Sequence, residues 1–338
     1  MPIYKRAVGT GEALATLGHE VYIVALDCAE NRERLAKEAP HCRGLFVPAS
    51  CPIVEAWHKL RVIWNVRPDI LYTTSFCLQN LAFMRILLPW RMRTVLEFCE
   101  LYSEYPWRRL SWRLFEWFGC KEYGSILCAS KFLEEHFRPF AQHVCYSPYA
   151  YPSYLRPKRV VHPKTVVFMA ALHRGYGAYD VPEACIKLFS KYPDLQVEIL
   201  GGGPERDNLR KLMVERGVSD RVHVRGYVAE EELNDYFSRA DVFVSPLHDT
   251  LQDKARCPSK IFYYIPYNKP IVTCALGDPL ETLGEKGFYY QPDDIDDMSR
   301  AIDRALSASE SFSYSEGFIE SHSWMARAKQ FEKWMRAE

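Results

Sequence analysis

The sequence predicts an α/β chain of two doubly wound domains, each a parallel sheet between helices. Short runs rich in Val, Ile and Leu recur along the chain, separated by stretches of helical periodicity. The runs show little apolar–polar alternation, which is the pattern of strands buried on both faces. They fall into two series, and between the series residues 151–163 are proline-rich and polar with no periodic pattern. At 338 residues the chain is long enough for two separate cores.

The first series predicts strands over 20–26, 70–73, 94–98 and 125–129; the second predicts 165–170, 196–200, 222–225, 242–245 and 270–273. The domains then cover 1–155 and 164–318, joined by a linker at 156–163. Phe318, Ile319, Trp324, Met325, Ala328, Phe331, Trp334 and Met335 recur near helical spacing, so the tail 319–338 is expected as one helix crossing back toward the first domain. The start departs from this order. Residues 5–17 read as a helix closed by Gly18 before any strand has appeared. A doubly wound domain opens on a buried strand that lies in mid-sheet, so the first strand is missing and Met1 is expected not to be the ancestral start.

Composition narrows the function. Lys plus Arg equals Asp plus Glu, 43 each, so no overall field draws the chain to nucleic acid. The 11 cysteines show no C-x-x-C pair and no His/Cys ligand spacing, which argues against a disulfide framework or a zinc site and favours a reducing, cytoplasmic setting. The most apolar stretch, 81–90, is about half a membrane span and is interrupted by Arg85, so a soluble or peripheral protein is expected, possible contact being with the inner face of a membrane. Residues 107–118 combine Arg108, Arg109 and Arg113 with Trp and Phe. They suit an anionic membrane surface, and equally a core stripe of Leu110, Leu114, Trp117 and Phe118.

Several blocks, taken in order, resemble one family. They are Tyr192-Pro-Asp-Leu-Gln-Val-Glu-Ile-Leu-Gly-Gly-Gly-Pro-Glu205, Val218-Ser-Asp-Arg-Val-His-Val-Arg-Gly-Tyr-Val228, Ala240-Asp-Val-Phe-Val-Ser-Pro246, Pro258-Ser-Lys-Ile-Phe262 and Lys269-Pro-Ile-Val272. Leu17-Gly-His-Glu-Val21, Arg67-Pro-Asp-Ile-Leu71 and Ala129-Ser130 match more weakly. Together they resemble the family-four retaining glycosyltransferases, whose GT-B fold has two Rossmann-like domains facing a cleft. The resemblance implies a nucleotide-sugar donor, a sugar or lipid-linked hydroxyl acceptor, a place in surface polysaccharide or glycolipid synthesis, and no cofactor or metal. The chain also departs from the family. Where many members carry two glutamates eight positions apart, it has Ala255 and Tyr263. It resembles instead the subset with a Pro-Ser-Lys turn, with Tyr263-Tyr264 in place of the usual Glu-Tyr.

Such a transferase must neutralise a departing diphosphate, and without a metal it does so with cations and helix amides. Lys260 and Arg174 are the expected catalytic cations, with Ser259 capping the helix that Lys260 opens. The family match places Gly226 and Tyr227 at the nucleotide base and Tyr263 near the ribose. On the acceptor side Glu97 and Glu100 end a strand, Glu100 being the expected hydrogen-bond acceptor for the incoming hydroxyl, and Arg6 is expected beside Lys5 at the start of the first helix, toward the cleft. Gly201-Gly-Gly203 follows a strand, but Arg206 occupies the third glycine position of a dinucleotide fingerprint, so a nicotinamide dehydrogenase is a poor reading. The alternatives are a catalytically impaired sugar-nucleotide-binding protein and a sugar-nucleotide epimerase on the same fold.

Overall fold

The computed structural model describes residues 2–74, 92–104, 109–152, 154–158 and 160–337. The apolar stretch at 81–90 and residues 107 and 108 lie outside them. The chain forms two compact units. One comprises Met1–Ala150, Ala255–Cys257 and Ser323–Glu338, the other Tyr151–Lys254 and Pro258–His322.

The N-terminal unit runs α1 (Pro2–Thr16), β1 (Tyr22–Leu26), α2 (Ala29–Glu38), β2 (Arg43–Val47), α3 (Pro52–Val66), β3 (Ile70–Thr73), β4 (Arg93–Phe98), α4 (Arg109–Glu122), β5 (Ser125–Cys128), α5 (Lys131–Phe137) and β6 (His143–Tyr146). Every pairing is parallel, but the strands form two ladders, β1-β2 and β3-β4-β5-β6. β5 is buried along its whole length and β4 along all but Arg93, as strands covered on both faces must be. One cover is the last helix of the chain (Trp324–Arg336), whose Phe331 and Met335 pack on Val95 and Leu127. The tail is therefore two helices and not the single one expected. Ser323 takes an extended conformation and its side chain accepts from the Ala326 N–H, which ends the preceding helix (Glu316–Ser321) and starts a new one.

The C-terminal unit follows with β7 (Thr165–Met169), α6 (Asp180–Ile186), β8 (Gln196–Leu200), α7 (Arg206–Glu215), β9 (Val222–Gly226), α8 (Glu230–Ser238), β10 (Val242–Ser245), α9 (Leu251–Ala255), α10 (Ser259–Tyr264), β11 (Ile271–Cys274), α11 (Asp278–Leu283), β12 (Phe288–Tyr290), α12 (Ile295–Ala308) and α13 (Glu316–Ser321). The closing helix, Trp324–Arg336, is α14. Six parallel strands form one sheet in the order β12-β11-β10-β7-β8-β9, with β7 and β10 at its centre. Val166, Phe168, Val197, Ile199, Val242 and Val244 are fully buried and meet α6 and α12 in one core.

Three observed strands have no counterpart in the sequence reading: β2, β6 and β12. Each lies at the end of its ladder and is only partly buried, so the continuous apolar run that marks an inner strand is absent. The expected linker is pinned down. The Arg156 N–H donates to Asn234 Oδ1 at 2.9 Å and the Lys158 N–H to Ser238 Oγ at 3.1 Å, so this segment lies along α8 and its backbone donors are satisfied by side chains.

One polar contact holds the N-terminal unit from inside. Arg6, in the second turn of α1, donates through Nε to Glu97 Oε1 of β4 at 2.6 Å and through Nη2 to the Ser147 carbonyl at 2.7 Å. Arg6 is 3% exposed and Glu97 1%. Burial disfavours the charge on Arg6, yet Glu97 raises its pKa well above the ordinary value, while burial and the same carboxylate raise that of Tyr72. The Ser147 carbonyl and Tyr72 add hydrogen bonds to the pair, but Glu97 is the carboxylate that balances the buried guanidinium. Glu97→Leu alone should destabilise the protein by about 3–5 kcal/mol, because it strands a buried guanidinium, and adding Arg6→Met should recover much of that loss. Urea unfolding of the two single variants and the double variant checks this.

Candidate functional site

In an open α/β sheet, ligands bind outside the carboxyl ends of the strands where the winding reverses. In the C-terminal unit the chain proceeds from β7 outward to β9, then returns to place β10 on the other side of β7. The reversal therefore lies between β7 and β10, and the segments leaving them, residues 170–179 and 246–250, define the place to look. The two are packed together: a side chain at Gly177 would collide with the Pro246 ring.

A third segment completes this edge. Gly201, after β8, has φ +137°, and a Cβ there would lie well inside the radius of the Ala170 carbonyl oxygen. That closeness permits a backbone seam in which the Ala170 N–H donates to Leu200, the Leu172 N–H to Gly202 and the Gly201 N–H to Gly226. The triple glycine thus serves backbone packing. Beyond it Gly226 has φ +84°, and Tyr227 is 80% exposed.

The expected donor residues divide. Lys260, half-buried near the start of α10, sits with Nζ 5.2 Å from the centre of the Phe168 ring in β7. The same helix is tied to that strand by the Tyr264 hydroxyl, which accepts from the Met169 N–H at 3.0 Å. Lys260 is therefore held at the carboxyl end of a central strand. Ser259 does not cap the helix as expected: it is the first helical residue, Pro258 holds the cap position, and no side chain caps this end. Tyr263 is buried, and its hydroxyl hydrogen-bonds to Tyr154, which also bonds Glu230. Burial first, then these two neighbours, raise the Tyr154 pKa. Arg174 is 78% exposed on its side chain, pairs with Glu205 at 3.4 Å and lies over the Tyr179 ring. The Tyr179 hydroxyl donates to Glu205, which with Arg174 lowers the Glu205 pKa.

The acceptor-side residues belong to the N-terminal unit. Lys5 is engaged by Glu38 at 2.8 Å and Arg6 is buried with Glu97, so neither cation stands free at the start of α1 as expected. Arg6 and Glu97 have a structural role. Glu100 remains half-buried in the bend after β4, ahead of a 3-10 turn at Tyr102–Glu104. Ala255, at the first of the two glutamate positions, accepts through its carbonyl from Ser130 Oγ.

Sequence reasoning missed one cluster. A cavity of about 200 Å³ is lined by Asp180, Leu247, His248, Tyr290, Asp293 and neighbouring residues of α12. His248 follows β10 at the point of reversal, and its backbone N–H donates to Asp253 at 2.7 Å. Its Nδ1 lies 2.6 Å from Asp293, and its Nε2, 3.9 Å from Asp180, has no hydrogen-bond partner among the described residues. The cluster gathers residues 180, 248 and 293, so no local motif announces it. The one Asp-x-Asp run, Asp294-Ile295-Asp296, is occupied structurally: Asp294 caps α12 and Asp296 pairs with Lys187. Among the described residues no group of three or more His, Cys, Asp or Glu could hold a metal ion.

Two units, each built on parallel strands, match the plan of the GT-B fold, and comparison with known proteins agrees. Residues 163–308, within the C-terminal unit, match the family described as "Glycosyl transferases group 1". Over 125 residues, 36% of the chain, it is 29% identical to a lipopolysaccharide core biosynthesis glycosyltransferase, LpsE, of Rhizobium meliloti. Over 82 residues, 24% of the chain, it is 35% identical to a GDP-mannose-dependent phosphatidylinositol monomannoside mannosyltransferase of Mycobacterium tuberculosis. The chain spans 34% and 21% of the lengths of these two relatives. In fold it is similar to Anabaena Alr3699/HepE, solved with UDP and glucose, with a TM-score of 0.77 and 12% identity over 98% of this chain and 96% of that one.

Burial raises the Asp180 pKa; His248 opposes this and Asp293 adds to it. A carboxyl raised on folding contributes stability below its unfolded pKa, and that contribution is lost as pH rises through the folded value. Asp180→Asn removes this loss. Its stability relative to the unsubstituted protein should therefore improve between pH 4 and pH 7, as thermal melts at the two pH values will show.

Proposed function

We propose that the protein is a retaining glycosyltransferase that moves a sugar from a nucleoside-diphosphate donor to a hydroxyl of a glycan or glycolipid acceptor. The observation that carries the reading is Lys260, held at the carboxyl end of β7 beside the winding reversal, in a chain whose residues 163–308 match the group 1 family. The activities for which the two relatives are named support the acceptor class, and the UDP and glucose in the similar Anabaena structure support the donor class.

In the mechanism we propose, the β-phosphate of the donor lies against Lys260, and negative charge grows there as the glycosidic bond breaks. A fixed ammonium lowers that barrier because it needs no reorganisation as charge develops. Arg174, paired with Glu205 but largely exposed, can swing to the diphosphate, and Tyr227 offers an exposed ring for a nucleotide base. Glu100 accepts a hydrogen bond from the incoming hydroxyl, and the leaving phosphate takes its proton. Membrane contact is proposed through α4, where Leu114 is 62% and Trp117 49% exposed beside Arg113. Their exposure contradicts the core-stripe reading of these two residues.

Lys260→Ala should reduce turnover by on the order of a hundredfold with the fold intact, and Arg should restore only part, since a planar fork does not replace a point charge. Steady-state kinetics with nucleotide-sugar donors, read beside circular dichroism, decide this; full activity would remove Lys260 from the mechanism. Metal independence is proposed as well: activity should persist in excess chelator, and a loss restored by magnesium or manganese would overturn it.

A further inference from the structure

The two central strands of the C-terminal unit part company at the winding reversal. β10 pairs with β7 only as far as Val244 opposite Phe168, whereas β8 follows β7 one residue further, with Leu200 opposite Met169. Along a parallel strand, successive N–H groups point to opposite neighbours. The Ala170 N–H donates to the Leu200 carbonyl of β8, so the Met169 N–H points to the β10 side, where the ladder has already ended. Its acceptor is the Tyr264 hydroxyl, at 3.0 Å. A side chain of α10 thus takes over from the ladder where the sheet reverses its winding.

Tyr264 is fully buried and held on several sides. Its ring stacks on Phe243 of β10, with centroids 4.2 Å apart and planes at 11°, and Phe237 of α8 meets it edge-on at 5.5 Å. One residue therefore joins β7 through its hydroxyl and β10 and α8 through its ring. The start of α10 has no side-chain cap, so the hydroxyl at its end gives the helix a directional hold on β7. Lys260 lies four positions before Tyr264 and so on the same helix face, with its Nζ over Phe168, the neighbour of Met169. Met169 in turn leads into the segment 170–179, which carries Arg174. A single hydrogen bond thus couples the helix of one expected cation to the strand end that launches the other.

We propose that Tyr264 is a positioning residue for the diphosphate site: its hydroxyl sets the register between Lys260 and the end of β7. The inference rests on the reading of Lys260 as the charge that meets the leaving diphosphate. Being buried, Tyr264 touches no substrate and acts only through what it holds. A fixed charge stabilises a transition state because it is already in place, and a displacement of the order of 1 Å forfeits much of that effect. Without the hydroxyl the Met169 N–H loses its acceptor, and α10 keeps its apolar packing but loses the contact that sets its distance from the strand end.

The test is a double-mutant cycle of Tyr264→Phe and Lys260→Ala in the full chain, with UDP-glucose and GDP-mannose as donors. Tyr264→Phe keeps the ring and removes only the hydroxyl. It should lower kcat roughly tenfold while donor KM changes less and Tm falls by no more than a few degrees. In the Lys260→Ala background the same substitution should lower kcat by less than about twofold, because the charge it positions is gone. Hydrogen–deuterium exchange, which needs no donor, should be faster at the Met169 amide in Tyr264→Phe. Equal losses of kcat in both backgrounds overturn the proposal, as does a loss confined to KM or unchanged exchange at Met169. An impaired Lys260→Ala beside a fully active Tyr264→Phe overturns it and leaves the lysine reading standing; a fully active Lys260→Ala overturns both. Should Tyr264→Phe not fold, Phe243→Leu, which keeps the hydroxyl and loosens its ring, goes through the same cycle under the same criteria.

Discussion

A parallel strand needs a neighbour on each edge and a helix on each face, and most of this protein follows from meeting that requirement. In the C-terminal unit the inner strands meet it: six strands share one ladder, β10 is buried throughout and β7 at all but Met169. Winding outward from β7 and then returning to place β10 on its other side leaves one crevice at the carboxyl edge. Residues distant in sequence, Arg174, Gly201, Tyr227 and His248, come to that edge because each leaves the end of a strand.

In the N-terminal unit the same requirement is met only in part. The β3 to β6 ladder is well covered, and α14 contributes Phe331 and Met335 to it from the far end of the chain. Among the described residues β1-β2 and β3 to β6 are separate ladders, and α1 packs on both. The Arg6–Glu97 pair fastens that helix to β4. A buried ion pair gains little over an apolar pair, but its hydrogen-bond directions admit only one register of helix on strand. Here that fixes α1 on β4.

The site chemistry depends on which side chains the backbone leaves free. Arg6, Glu97 and Lys5 are spoken for within their unit, and Ser259 lies one position too late to cap α10. Lys260 lies near the start of α10 with its Nζ over the Phe168 ring, and Tyr227 presents an exposed ring after β9. The carboxylates of Asp180 and Asp293 converge on His248 in a small cavity that joins the ends of β10 and β12 to the start of α6.

The sequence by itself determined the inner strands, because burial on both faces demands continuous Val, Ile and Leu, and runs such as 165–170 and 242–245 show it. It also determined the two-unit plan and the Pro-Ser-Lys turn with its lysine. Tertiary structure alone decided the outer strands β2, β6 and β12, since half-covered strands carry no continuous apolar signal. It alone decided that Arg6 faces inward to Glu97, 91 positions away, because helical periodicity shows which residues share a face but not which charge awaits them. The His248 cluster was invisible for the same reason: its members meet only after the sheet has reversed its winding, and no local spacing encodes that.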